Sequence, residues 1–179
     1  TMSKNWWFAA AAAVALLLAA IWVSQLPPKS KEIQSGIASK EIVLEDQSIV
    51  TLNENSRIKY IPETFAEEGI AREVSFSGEA YFEVAHNPEK PFIVTTNDVK
   101  VEVLGTKFLV RTFVDKPTEV LVTEGKVKVT YLKNGESYIL TAREQLSTDK
   151  EETLQVSPSD MNKLYWKTGI IEFPGTPLD

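Results

Sequence analysis

Eighteen consecutive apolar residues, Trp6 to Val23, constrain this chain more than any other stretch. No charge lies between Lys4 and Lys29. As a helix the run measures about 27 Å at ~1.5 Å per residue, close to the ~30 Å hydrocarbon core of a bilayer. Trp6 and Trp7 at one end and Trp22 at the other stand where aromatic rings seat at two membrane interfaces. Pro27-Pro28 stops such a helix. The run has no polar stripe, which argues against a buried globular helix. It also exceeds the ~7–15-residue apolar core of a cleaved signal peptide, and Trp22-Val23-Ser24-Gln25-Leu26 offers no small-x-small cleavage site. A lipoprotein signal requires a cysteine, and the chain has none. The expected organisation is a residual tail (1–5), a transmembrane helix (6–23), a juxtamembrane linker (24–40) and one folded domain (41–179). The flanking lysines, Lys4 on one side and Lys29 and Lys31 on the other, do not set the orientation.

About 150 residues beyond the anchor suffice for one domain with a real core. Lys4 is the only charged residue among 1–28, so the domain carries 18 basic and 25 acidic residues, about −7. Phosphate binding needs clustered Lys and Arg, so this balance argues against nucleic acid as a partner. The absence of cysteine excludes a disulfide framework, thiol catalysis and cysteine-ligated zinc. The chain starts with Thr1 before Met2 and stops at Asp179 without an obvious terminal element, and it reads as a fragment.

From Ile42 onward, short runs alternate with period two. Strands are expected at 42–44, 48–52 and 57–60, with turns at Glu45-Asp46-Gln47 and Asn53-Glu54-Asn55. Residues 63–68 make one helical turn closed by Gly69. Arg72–Ser77 and Glu79–Val84 form two strands with Gly78 as the turn between them. Phe92–Val94, Val99–Val103, Lys107–Phe113, Thr118–Thr123 and Gly125–Tyr131 follow, with Val101 and Val103 toward the core and Lys100 opposite. Asn134-Gly135 predicts a type I′ hairpin turn, since both residues tolerate positive φ, and 136–140 is its second arm. Near the end, Ser157 as N-cap, Pro158 at the first position and Asp160 three after the cap predict a helix. Its face would be Met161, Leu164 and Tyr165, its stop Gly169, and 170–173 a last strand. About a dozen short strands mean an all-β domain. Ser77–Val84, Thr123–Thr130 and Asn134–Leu140 echo one another loosely, and two arrangements stay open: a twisted sandwich or a β-solenoid-like stack of hairpins.

Little in this text looks catalytic. His86, the only histidine, reads as a solvated loop residue. Glu79 and Glu83 share a strand face and in principle form a glycosidase pair, but carboxylates on an exposed strand face are ordinary solubilising residues. Asp46, Glu45 and Glu54 lack the spacing of a cation site and read as turn residues. Gly105-Thr106-Lys107 lacks the upstream glycine, the spacer and the helix of a phosphate loop. No catalytic, cofactor-binding or metal-ligating residue is assigned. Tyr60, Tyr81, Tyr131, Tyr138, Tyr165 and Trp166 are core residues by default, with a few free to line an interaction face.

The strands do carry a family pattern. LEDQSIVTLNENSRIKY (Leu44–Tyr60), REVSFSGEAYFEV (Arg72–Val84), PFIVTT (Pro91–Thr96), VEVLGTKFLV (Val101–Val110), VLVTEGKVKV (Val120–Val129) and WKTGIIEFPGTPL (Trp166–Leu178) resemble, in order, the periplasmic part of FecR-type transmembrane sigma-factor regulators. The resemblance implies a single-pass inner-membrane protein, N-terminus in the cytoplasm and β domain in the periplasm. It implies a cytoplasmic segment that binds an extracytoplasmic-function sigma factor. It further implies a periplasmic part that contacts the signalling domain of an outer-membrane TonB-dependent transporter loaded with a siderophore or a glycan. It favours the solenoid-like stack. A membrane-anchored scaffold or envelope-binding β domain with no sigma factor is the alternative. Where the family often has P-G-E-Q, this chain has Thr141-Ala142-Arg143-Glu144-Gln145; the family's cytoplasmic segment and its C-terminal receptor-facing domain would lie before Lys4 and after Leu178.

Overall fold

The computed structural model describes residues 6–24, 29–67, 69–148 and 154–172. The expected tail, the Pro27-Pro28 stop and the closing segment 173–178 lie outside them. Period-two alternation becomes thirteen strands: β1 (Lys31–Gln34), β2 (Lys40–Val43), β3 (Ile49–Leu52), β4 (Arg57–Tyr60), β5 (Arg72–Glu83), β6 (Phe92–Thr95), β7 (Val99–Val103), β8 (Lys107–Thr112), β9 (Glu119–Glu124), β10 (Lys126–Tyr131), β11 (Ser137–Thr141), β12 (Glu144–Thr148) and β13 (Leu154–Pro158). The helices are α1 (Trp6–Ser24), the short α2 (Pro62–Ala66) and a 3₁₀ turn, Met161–Leu164, that runs into α3 (Tyr165–Thr168). In β7, Val99, Val101 and Val103 are buried while Lys100 and Glu102 face outward, as the alternation predicts.

The strands form two seven-stranded layers that share β5. The first runs β1-β4-β5-β6-β7-β10-β11 and the second β2-β3-β5-β8-β9-β12-β13. The first half of β5 pairs with β4 and β6, and its second half with β3 and β8. Only β5–β6 is parallel among the described pairs. After β6 the chain lays hairpins alternately: β6–β7 in the first layer, β8–β9 in the second, β10–β11 in the first, β12–β13 in the second. Joined through β5, the two layers make one nearly closed, barrel-like sheet. Both layers contribute to one core, in which the Phe82 ring stacks on Phe108 at 5.1 Å and meets Phe76 and Phe92 edge-on.

Gly78 is therefore not a turn between two strands. It is the bend inside one strand, where β5 leaves the first layer and enters the second. Its φ of +109° is open to glycine alone, and a Cβ there would sit 2.7 Å from Ser56 Cα. Ser56 braces the bend: its Oγ accepts from Glu79 N at 2.9 Å, and its N–H donates to Ser35 Oγ at 2.8 Å. The eight residues after β5 then return the chain to the first layer, and Arg72 holds that return. Its Nε donates to Lys90 O (2.9 Å) and its Nη1 to Ala85 O (2.9 Å) and Asp46 Oδ2 (2.7 Å). Arg72 is 1 % exposed, and its guanidinium lies over the Phe92 ring.

Four other expectations shift. Residues 31–34, placed in the linker 24–40, form β1 and pair with β4. Asn134 keeps negative φ and only Gly135 is left-handed, so β10 and β11 join through a five-residue loop, not a type I′ turn; Asn134 Oδ1 accepts from Glu136 N at 2.9 Å instead. Ser157 and Pro158 remain in β13, and the cap of the C-terminal helical segment is Asp160, whose carboxylate accepts from Asn162 N. Gly169 ends α3 in the left-handed conformation as expected, but 170–172 is not a strand. Arg143 stands in the two-residue turn between β11 and β12 with φ +71°, a left-handed conformation that glycine adopts freely.

Replacing Gly78 by alanine combines backbone strain with a collision against Ser56. It is expected to lower stability by roughly 3 kcal/mol or more, while Ser77→Ala beside it changes little. Chemical denaturation of the full chain in detergent micelles measures both; equal midpoints for the two variants would remove the bend from its structural role.

Candidate functional site: a helix clamped on the second layer

Strand alternation that fills the core leaves a second set of side chains on the outer face of the second layer: Glu79, Tyr81 and Glu83 from β5, Leu109 and Arg111 from β8, Glu119 and Leu121 from β9. The C-terminal helical segment lies across this face. Leu164 (3 % exposed) buries Leu109 and Leu121 (1 % each), with Tyr81, Met161 and Trp166 packed around them. Tyr165, expected on this face, is exposed, and Trp166 takes its place.

Charges ring the apolar contact. The Glu79 carboxylate, 8 % exposed, accepts from the Trp166 indole N–H at 2.9 Å and from Asn53 Nδ2 at 3.0 Å. Arg111 Nε is 3.2 Å from the same Glu79 oxygen that Trp166 uses, but its proton has no aligned acceptor, so this pair is held by charge alone. Arg111 Nη1 also pairs with Glu119 at 3.0 Å. From the helix side, Lys163 Nζ reaches the other oxygen of Glu119 at 3.0 Å and Gln145 Oε1 at 3.2 Å. One turn on, Lys167 Nζ donates to Thr51 Oγ1 at 2.8 Å and lies 3.3 Å from Glu41 and 3.8 Å from Glu83. Residues from β2, β3, β5, β8, β9 and β12 thus hold one short helical segment.

The reading of Glu79 as a solubilising residue is wrong: it is buried and both its oxygens are engaged. Glu83, the second carboxylate of that face, lies 3.8 Å from Lys167. His86 is exposed, in the loop after β5. Asp46 is the counter-ion of Arg72, and its turn closes with Oδ1 accepting from Ser48 N. Tyr60 and Tyr131 are core residues, whereas Tyr138 is exposed. Of the interface tryptophans, Trp7 and Trp22 lie near opposite ends of α1 and are 74 % and 69 % exposed; the side chain of Trp6 is outside the described residues. Among the described residues no helix is long and apolar enough to cross a membrane.

Sequence reasoning missed Glu79, Arg111, Lys163 and Lys167 as a set. One signal was available: Glu79-Ala80-Tyr81-Phe82-Glu83 puts an aromatic between two acids on the supposed solvent face, which suits a covered surface.

The profile of the FecR protein family matches residues 32–128, from β1 into β10. Two crystal structures of a candidate anti-sigma factor from Parabacteroides distasonis ATCC 8503 share the fold, both at TM-score 0.71, with 28 % and 30 % sequence identity over 78 % of this chain. The chain spans 66 % and 65 % of the length of those chains. Among curated proteins none matches the chain.

The clamp predicts measurable coupling. In a double-mutant cycle, Glu79→Gln and Trp166→Phe should couple by about 1.5–3 kcal/mol, the range for a hydrogen bond to a charged group. Amide exchange at 161–168 should accelerate in each single variant; additive effects with unchanged exchange would dissolve the clamp. Burial under the helix raises the Tyr81 phenol above the usual tyrosine range, with the hydrogen bond to Thr123 working the other way. A raised value means the folded state favours the neutral phenol. Its contribution is full below the ordinary tyrosine pKa and fades as pH climbs through the folded value. Tyr81→Phe should therefore flatten the loss of stability between about pH 9 and 11, read from denaturation midpoints.

Proposed function

The chain belongs to the FecR family, and on that premise we propose that it is the periplasmic module of an anti-sigma regulator anchored by α1. Family membership and the structural neighbours support the regulatory role in its general form. In the fuller reading, Trp6–Val23 crosses the inner membrane with its N-terminus in the cytoplasm, and the β domain lies in the periplasm. There it answers the signalling domain of a TonB-dependent outer-membrane transporter, and the N-terminal side passes the result to an extracytoplasmic-function sigma factor.

The observation that carries this reading is mechanical. The strand that follows α1 after six residues, β1, is hydrogen-bonded into the first layer, and the C-terminal helical segment is clamped on the second layer. β5 pairs in both layers, so β1 and the C-terminal helical segment are held on one folded domain. Lys167 reaches back 126 positions to Glu41 on β2. The polar clamp, with no side chain free for acid/base work at Glu79, suits docking better than turnover. The scaffold alternative shares the anchor and the domain and differs only in having no sigma factor.

Two measurements test the proposal. Alkaline phosphatase fused after Asp179 should be active in cells, and the same enzyme fused before Thr1 should be inactive. The complete natural gene product should co-purify with a sigma factor from membranes. Reversed phosphatase activities would overturn the topology, and a correct topology with no sigma factor bound would leave the scaffold in its place.

A further inference from the structure

Each layer ends in two strands with a single neighbour, so the described domain has four free edges: β1 and β11 in the first layer, β2 and β13 in the second. A free edge offers unpaired N–H and C=O groups to any extended chain, and folded proteins blunt it with charge, proline or bulges. Three edges here are blunted. β1 carries Lys31 and Glu32, paired with Glu45 and Arg57; β2 carries Lys40 and Glu41; β13 runs into Pro158.

β11 is not blunted. Ser137-Tyr138-Ile139-Leu140-Thr141 has no charge and no proline, and its register with β10 is unbroken. Ile139 is 69 % exposed. Glu136 O accepts from Tyr131 N, so antiparallel alternation turns the backbone of Tyr138 and Leu140 toward β10 and that of Ser137 and Ile139 toward the open edge. The strand's end is already fixed, because Glu144 accepts from Thr141 N at 2.7 Å.

The outer face beside β11 carries three lysines in a chain of net charge −6. Lys128 lies beside Ile139 and Lys126 beside Thr141 in register, and Lys100 follows on β7; the acids nearby are Glu102, opposite Lys128, and Glu136 and Glu144 at the two ends of β11, where they accept from the Tyr138 hydroxyl and from Thr141 N. None of the three lysines makes an ion pair among the described residues. A groove of about 380 Å³ runs between Lys126, Lys128 and Glu102, with Val103, Leu104 and Ile139 as its apolar lining.

We propose that β11 is a strand-addition site for an extended segment of a partner protein in which acidic residues alternate with apolar ones. Backbone groups of the added strand pair with Ser137 and Ile139. Its acidic side chains lie on the outer face, roughly 10 Å from the β10 backbone at two strand spacings, a gap that a lysine and a glutamate close together. Its apolar side chains face the other way and extend the core past Leu140. The site is on the layer opposite the clamped helix, and it does not depend on a sigma factor.

The full chain in detergent micelles is titrated with the synthetic peptide Val-Glu-Val-Glu-Val-Glu-Val, with Val-Lys-Val-Lys-Val-Lys-Val as the control, and backbone amides are followed by hydrogen exchange. The acidic peptide should bind saturably and slow exchange at Ser137 and Ile139, and the basic peptide should not. Ile139→Lys, which blunts the edge, and the double variant Lys126→Glu/Lys128→Glu should each weaken binding by about tenfold or more, with Ile139→Val unaffected. The charge-reversed pair lies on an exposed face and carries the test if Ile139→Lys fails to fold. No saturable binding, protection at another edge, or equal binding of both peptides would overturn the proposal. So would dimerisation of the free chain through the same amides, which would make a second copy the occupant.

Discussion

Everything in this domain depends on β5 belonging to two layers at once. A strand that stays in one sheet needs no special residue at its middle; one that changes sheet must bend through a conformation closed to side chains. Gly78 supplies that conformation, and Ser56 occupies the space a side chain would need. The bend also brings the two ends of β5 close, which is why one guanidinium at Arg72 reaches both the start of the strand and the loop beyond its end. Burying that charge is costly, and three oxygen acceptors and an aromatic face offset the cost. The ion pair with Asp46 ties the β2–β3 turn to the same point, so the return loop, the bend and the first hairpin close together.

Most of the strand map was legible because alternation reports burial directly. β4 and β7 sit where the period-two pattern puts them, and the helical turn after Pro62 and the stop at Gly169 follow from local chemistry. Two of the misses share an origin: Gly78 and Ser157-Pro158 each carry a local signal for a turn or a cap that a long-range pairing overrides, whereas Asn134-Gly135 still reverses the chain, in a longer loop closed by local hydrogen bonds. A glycine in a strand means either a reversal or a bend, and only the neighbours in space distinguish them. Ser157 and Pro158 are held by β12, which leaves capping to Asp160. Glu79 was misread for the same reason. Its strand face is polar in sequence, and its cover arrives from a helix 87 positions later.

The clamped helix differs in kind from the core. Its apolar contact is small, three buried leucines with Tyr81, Met161 and Trp166, while its hold comes from Glu79, Arg111, Glu119 and two lysines. Contacts of that sort are specific in direction and weaken with salt. A regulatory domain gains from this division: the core keeps one shape, and the exit segment is held by interactions that a competing charged partner can replace.

The layers grow outward from β5 by alternating hairpins, and this sets an order in time. The four strands made before β5 have only one another for company, each with a single layer partner at most until β5 appears. Once residues 72–83 emerge, both layers gain their central member in one step, and every later hairpin finds an edge already waiting. Folding during synthesis should hold at a threshold near residue 83 and then proceed by accretion, with no rearrangement of what is already in place.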